Sequence, residues 1–120
     1  GDEHVLTAAV LCFPASWHLA DKIGRPLTTI HVPVKAYDEP LARRVQRLFD
    51  GVQVGRPLWR FNALRYASPT LHQPRSRLQP SADAEYPYLR SERQCVLRLP
   101  QTRACVFSIH TYVLARTTAQ

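Results

Sequence analysis

Three hydrogen-bonding side chains stand at alternate positions in the stretch LRSERQCVLRLP, residues 89 to 100. Arg90, Glu92 and Gln94 occupy even positions, and the odd positions include the small or apolar residues Leu89, Ser91, Cys95, Leu97 and Leu99. This period of two predicts a strand that carries all three on one face. A carboxylate between a cation and an amide suits acid or base chemistry, because its neighbours can hold it and aim it. The alternative is a solvent-exposed strand face with a cross-strand ion pair, and the pattern alone leaves both open.

Histidines are the second resource for chemistry, and the chain has five of them: His4, His18, His31, His72 and His110. No two have the HxxxH or HxxE spacing of a multi-ligand site, so the sequence does not support a zinc or non-haem iron centre. A single axial ligand is compatible with any one of them. A loop or surface position is the alternative for each.

Other catalytic motifs are absent from the sequence. The three cysteines, Cys12, Cys95 and Cys105, have no CxxC spacing, and we expect buried free thiols rather than disulfides or zinc ligands. No GxSxG elbow and no glycine-rich phosphate loop occurs, so a serine hydrolase and a nucleotide-binding protein are not expected.

Composition and charge bound the class of protein. The 120 residues are enough for one domain, and no apolar run is long enough to cross a bilayer. No signal peptide is recognisable at the start, so we expect a cytoplasmic protein. The net charge of +7 would suit nucleic acid, an anionic cofactor or an acidic partner. The aromatic and glycine patterns of the common RNA-binding folds are missing, and we expect no nucleic-acid partner.

The sequence of the first half of the chain predicts one strand and two helices, and these elements must help to position the candidate residues. The continuous apolar run 5–13 predicts a buried strand, 14–24 a short helix, and the proline-containing segment 25–37 a connection with room for one helical turn. Asp38 is a helix cap, and the apolar spacing after it predicts an amphipathic helix over about 39–50.

The second half predicts three strands. Period-two runs cover 58–66, 88–99 and 104–114, a long proline-rich loop separates the first two, and the short turn PQTR makes an antiparallel hairpin of the last two. If the apolar faces of that hairpin coincide, Arg90, Glu92 and Gln94 lie beside a second polar row. That row is Ser108, His110 and Tyr112. The predicted fold is α+β, with an antiparallel sheet packed against helices.

Four stretches of this sequence resemble one known family. They are LCFPASWHLADKIGRPLTTIHVPVKAY, GRPLWRFNALRY, LHQP and YLRSERQCVLRLPQTRACVFSIHTYV. Together, and in this order, they resemble the alpha subunits of haem-dependent oxidative N-demethylases, also known as dimethylamine monooxygenase subunits, which have a PAS-like haem domain. The resemblance implies one PAS-like haem-binding domain over residues 1–120. Members of the family are longer, which implies that this chain is the central part of a longer protein.

The same resemblance implies an enzyme. Such proteins bind haem b, receive electrons from NADPH through a separate flavin and iron-sulfur reductase, activate O2, and remove a methyl group from a small secondary amine as formaldehyde. A non-catalytic sensor that binds haem or another small ligand in a PAS-like domain is the alternative. Glu92 favours the enzyme, because a carboxylate suits an amine better than a diatomic gas.

The resemblance also implies roles for individual residues. The axial histidine of haem-binding PAS domains comes from the helix side of the pocket, and His31 lies in the segment that enters the predicted helix, with His72 as the next candidate. Arg60 and His110 are further candidates for binding the cofactor, although other members often have arginine at the position of His110.

By the same resemblance, the row Arg90, Glu92 and Gln94 would face the haem pocket. Arg90 could meet a haem propionate or hold Glu92, and Glu92 could hold an ammonium substrate.

Overall fold

The fold is known from a computed structural model, which describes residues 3–15, 17–30, 38–74 and 86–116. Its helical elements are a 3-10 turn at Leu19–Asp21, α1 at Leu27–Ile30 and α2 at Glu39–Gly51, and its strands are β1 at Leu58–Tyr66, β2 at Tyr88–Arg98 and β3 at Cys105–Ala115. The predicted α+β class is confirmed. None of the helices in these ranges is both long and apolar enough to cross a membrane.

In the described part of the chain, the strands form an antiparallel sheet with β2 between β1 and β3. The three strand predictions are confirmed to within one residue at each end. The predicted turn between β2 and β3 is also confirmed. It is closed by a hydrogen bond from the Leu99 N–H to the Ala104 carbonyl at 2.9 Å, and Arg103 takes a left-handed φ of 62° inside it. The central position of β2 places its side chains between neighbours on both sides.

Helix α2 begins and ends where the sequence predicts. The Asp38 carboxylate accepts a hydrogen bond from the Leu41 N–H at 2.9 Å, which satisfies one of the free amides at the start of the helix. At the other end, the Arg98 guanidinium of β2 donates to the carbonyls of Phe49, Asp50 and Val52. These carbonyls lack partners within the helix and carry the negative end of its dipole, so a cation suits them. Arg98 therefore fixes the end of α2 to the sheet.

The buried strand predicted over 5–13 is wrong. Only Val5 makes a β-bridge, an isolated one with Pro26, and Val10 is 91% exposed. The backbone of Leu6 instead pairs with the turn at Gly24 and Arg25. An apolar run becomes a strand only when a sheet edge accepts its backbone groups, and this segment bonds to a turn instead.

The helix predicted over 14–24 is reduced to the 3-10 turn Leu19–Asp21, and the chain leaves it through Gly24 at a φ of 75°. The helical turn predicted within 25–37 is confirmed as α1. The remainder of that segment, 31–37, lies outside the described residues, as does 75–85 of the predicted long loop.

The start of the chain is attached to the helices by side chains. His4 Nε2 lies 2.7 Å from Asp50 Oδ1 at the end of α2. Glu3 Oε1 accepts hydrogen bonds from the Thr28 hydroxyl at 2.6 Å and the Thr28 N–H at 2.9 Å, and these bonds lower the pKa of the Glu3 carboxyl. Residues 3 and 4 thus contact both α1 and α2.

Candidate functional site

The pairing of the strands decides which side chains share a face of the sheet. Glu92 has Asn62 of β1 and Thr111 of β3 as its Cα partners, and Gln94 has Arg60 and Ile109. Side chains of Cα partners in antiparallel strands point to the same face. The face that carries the polar row of β2, here called the polar face, therefore includes Arg60, Asn62, Arg90, Glu92, Gln94, Ile109, Thr111 and Val113.

The second polar row predicted beside Arg90, Glu92 and Gln94 is not there. Even-numbered residues of β2 pair with odd-numbered residues of β3, so Ser108, His110 and Tyr112 lie on the opposite face. The prediction assumed that the apolar faces of the hairpin coincide. The register set by the turn is the other one, and a shift of one residue moves every side chain of a strand to the other face.

The opposite face carries aromatic rings. Trp59 is 62% exposed and Phe61 52% exposed, their rings meet edge to face at 5.7 Å, and the Arg93 guanidinium lies 5.8 Å from the Trp59 ring centre. His110 is exposed on this face with its ring 4.5 Å from that of Tyr112. His110, predicted as a cofactor-binding residue, is therefore not brought together with Glu92.

Arg90 is buried within the polar face, with only 2% of its surface exposed. Its Nη1 donates to the Leu71 carbonyl at 2.8 Å and its Nη2 to the Phe13 carbonyl at 2.9 Å, and the guanidinium lies 5.5 Å from the Tyr66 ring centre. Its Nε lies 3.5 Å from Glu92 Oε1 and has no hydrogen-bond partner within the described ranges. Arg90 thus joins two loop segments to the sheet through its Nη atoms, and its Nε faces Glu92.

The Glu92 carboxylate is held by uncharged donors as well as by this ion pair. Asn62 Nδ2 donates to Glu92 Oε2 at 3.3 Å, and Gln94 Nε2 donates to the same oxygen at 3.4 Å. The Glu92 N–H donates to Asn62 Oδ1 at 3.1 Å. The Glu92 side chain is 17% exposed. A carboxylate accepts more bonds than these, so Glu92 keeps capacity for a ligand.

Arg60 completes the hydrogen-bonded group. Its Nε donates to Gln94 Oε1 at 2.7 Å, although Arg60 itself is exposed. Gln94 is only 9% exposed. The row Arg90, Glu92 and Gln94 is therefore largely buried. The alternative of a solvent-exposed strand face does not hold for these three side chains.

The structure brings together three of the residues predicted from the sequence, Arg60, Arg90 and Glu92. His72 is exposed and directly follows Leu71, whose carbonyl binds Arg90. His31 lies outside the described residues.

Asn62 was not predicted as a site residue. Its even position in the alternation of β1 was the available signal, but pairing it with Glu92 required the register between two strands that are distant in sequence.

Exposed apolar side chains surround the polar group on the same face. Leu58, Leu64, Phe107 and Ile109 are each between 45% and 49% exposed. A haem needs apolar surface against its macrocycle and cations near its propionates. The polar face offers both, since Arg60 is an exposed cation beside these side chains. The exposed apolar side chains and Arg60 therefore fit the macrocycle and a propionate of the haem that the sequence resemblance implies.

The cysteines lie apart from this group. All three are free thiols, but Cys12 is exposed, so the prediction that it is buried is wrong. Its segment forms no strand that could cover it. Cys105 is half-buried near Arg98, and burial raises the pKa of its thiol. In the ranges that the structure describes, no three His, Cys, Asp or Glu side chains come together as metal ligands would.

An open groove of about 420 Å³ lies elsewhere, between α1 and α2. The exposed ion pair of Glu39 with Arg43 at 3.3 Å and the Glu3 carboxylate bonded to Thr28 contribute to its lining. These charged groups are already paired. The polar face of the sheet is the better candidate, because Arg90 and Glu92 are largely buried there and Arg90 Nε has no hydrogen-bond partner within the described ranges.

A comparison with protein-family models identifies the family of this chain. The family model described as "Haem-dependent oxidative N-demethylase, alpha subunit-like" matches residues 1–119. The match covers all three strands of the sheet and therefore every residue of the polar face. This chain belongs to the haem-dependent oxidative N-demethylase, alpha subunit-like family.

Proposed function

We propose that this chain carries the haem and the amine-binding site of an oxidative N-demethylase, and that Glu92 holds the substrate. One observation carries the proposal: the Glu92 carboxylate is largely buried, is held by two amides, and lies among apolar side chains on a face that fits a haem. A small secondary amine, such as dimethylamine, has a pKa near that of lysine and arrives as an ammonium ion. A carboxylate shielded from water binds such an ion by a charge-assisted hydrogen bond.

The reaction balances with O2 and one NADPH. A secondary amine loses one methyl group as formaldehyde and leaves as a primary amine. One oxygen atom enters the formaldehyde, and the other leaves as water. NADPH gives two electrons and the methyl carbon gives two. We propose that the NADPH electrons arrive through a separate reductase with flavin and iron-sulfur centres.

We propose distinct roles for the residues that surround the substrate. When bound, the haem supplies the activation of O2. His31 would supply a ligand to the haem iron, with His72 as the alternative, and Arg60 would bind a propionate. Arg90 positions Glu92 and does not serve a propionate, because both of its Nη atoms already bind backbone carbonyls.

The wider assignment follows the family. We propose that α2 and the three strands form the second half of a PAS-like domain, that residues 1–120 act as one haem-binding domain, and that the protein works in the cytoplasm. The helix followed by three antiparallel strands supports this order of elements.

The substitution Glu92→Gln tests the proposal, since it keeps the shape of the side chain and removes its charge. Haem content should persist, while the rate of formaldehyde release, with NADPH and the reductase supplied, should fall about ten-fold to a thousand-fold, because a charged contact with the substrate is lost. Arg93→Gln is the matched control, because Arg93 lies on the same strand but on the opposite face. Wild-type turnover in Glu92→Gln would contradict the role of Glu92. A haem-loaded wild-type chain that releases no formaldehyde would support a sensor.

A further inference from the structure

We infer that Asn62 is a positioning residue that holds the Glu92 carboxylate away from Arg90 and so keeps it available to a cationic ligand. The inference rests on the proposed function and adds a residue to it. It starts from two hydrogen bonds between the same pair of residues. The Glu92 N–H donates to Asn62 Oδ1 at 3.1 Å, and Asn62 Nδ2 donates to Glu92 Oε2 at 3.3 Å.

These two bonds fix both side chains at once. The bond from the Glu92 N–H identifies the oxygen end of the Asn62 amide, so the NH2 end must face the carboxylate. The two residues are also Cα partners in the sheet, which sets the distance between their backbones. A side chain that binds both the backbone and the carboxylate of one residue limits the conformations of that carboxylate.

Gln94 acts on the same oxygen of Glu92. Arg60 Nε donates to Gln94 Oε1 at 2.7 Å, which leaves the NH2 of Gln94 to face Glu92 Oε2 at 3.4 Å. Both donors to Oε2 are uncharged amides. They orient the carboxylate without neutralising it, so its negative charge remains for a cation.

Arg90 lies at ion-pair distance from the other oxygen, Oε1, and is therefore also a competitor for that charge. Its buried Nε lies 3.5 Å from Glu92 Oε1, which is an ion-pair contact but too long and poorly directed for a hydrogen bond. A buried N–H without a partner costs free energy, so Glu92 would gain a bond by moving toward it. Asn62 opposes this movement. Without Asn62, Glu92 should close on Arg90 and bind an ammonium ion more weakly.

A double-mutant cycle tests the inference on the 120-residue chain, with dimethylammonium chloride as the ligand and backbone amide NMR as the readout. The four proteins are the wild type, Asn62→Ala, Glu92→Gln and the double variant. Asn62→Ala should weaken binding about ten-fold, as expected for the loss of an ordered charged contact. In the Glu92→Gln background the same change should have no further effect, because Asn62 acts only through the carboxylate.

Two further variants complete the experiment. Asn62→Thr suits a strand and keeps one hydroxyl that can bond to Glu92, so its affinity should fall between those of the wild type and Asn62→Ala. Arg65→Ala, on the same strand and the opposite face, should bind like the wild type.

The outcomes separate the inference from the proposed function. Unchanged affinity in both Asn62→Ala and Asn62→Thr, or an equal loss in both Glu92 backgrounds, would overturn the inference alone. A wild type that binds no better than Glu92→Gln would overturn the proposed role of Glu92, and the inference with it.

Discussion

Arg90 is a buried cation on the polar face of the sheet. The guanidinium gives two of its nitrogens to the carbonyls of Phe13 and Leu71 and lies against the Tyr66 ring. A buried cation is tolerated when its donors are satisfied and an opposite charge is near, and Glu92 Oε1 at 3.5 Å supplies that charge. The residue therefore serves both the attachment of the loops and the placement of the carboxylate.

The substitution Arg90→Met should consequently destabilise the chain. It removes the donors to two carbonyls and leaves the Glu92 carboxylate without its cation, so the free energy of unfolding should fall by about 2–4 kcal/mol. Urea unfolding followed by circular dichroism measures the change. Arg93→Met, on the same strand but exposed, is the control and should cost at most about 1 kcal/mol, the value of an exposed contact with an aromatic ring. Equal losses in the two variants would contradict the structural role of Arg90.

The residues of the polar face could be predicted from the sequence only within one strand. A period of two is a local property, and it placed Arg90, Glu92 and Gln94 on one face. Asn62 and Arg60 joined them only through the register between β1 and β2, which depends on pairing across the proline-rich loop. The sequence also predicted the wrong face for His110, which lies opposite the polar face. The turn between β2 and β3 sets the register of that pair, and the composition of the strands does not show it.

Among the elements, the end of α2 is hydrogen-bonded to the sheet by Arg98 of β2. Arg98 Nε donates to the Val52 carbonyl at 2.8 Å, and its Nη2 donates to the carbonyls of Phe49 and Asp50. The Phe49 ring adds an aromatic contact with Phe107 of β3 at 6.3 Å. The end of the helix thus depends on a cation from β2.

The substitution Arg98→Met should loosen the end of α2 and leave the sheet intact. Hydrogen exchange followed by mass spectrometry should show a loss of protection over Glu39–Gly51 of about five-fold to a hundred-fold, which corresponds to about 1–3 kcal/mol for bonds to a charged donor. Arg47→Met, on the exposed side of α2, should keep wild-type protection. Unchanged exchange in Arg98→Met would show that other contacts hold the helix.

The elements that were predicted correctly carry their signals locally. Helix α2 has a cap at Asp38, a proline in its first turn and a glycine at its end, and the strands have their own alternation. The run 5–13 has strand composition but no strand partner, and composition cannot supply one.

At the scale of the whole molecule, arginine contacts to the backbone accompany a small set of buried hydrophobic residues, which in the described ranges are Ile30, Val52, Tyr66 and Val96. Arg90 ties the segments near Phe13 and Leu71 to one end of the polar face, and Arg98 ties α2 to the other. Along β2, Glu92 and Gln94 lie between Arg90 and Arg98, and Asn62 of β1 is the Cα partner of Glu92. In the proposed function, the middle of the polar face is where the haem and the ammonium ion would meet.

The most direct test of this account is the absorption spectrum of the chain during titration with haem. We predict a saturable Soret band of a histidine-ligated haem, which His31→Ala abolishes and which the control His18→Ala, at an exposed position, keeps. Glu92→Gln should also keep the band, because the proposed role of Glu92 is to hold the amine. Absence of a protein-bound Soret band in the wild type would contradict the central claim that this face holds a haem, and an unchanged spectrum in His31→Ala would contradict the assigned ligand.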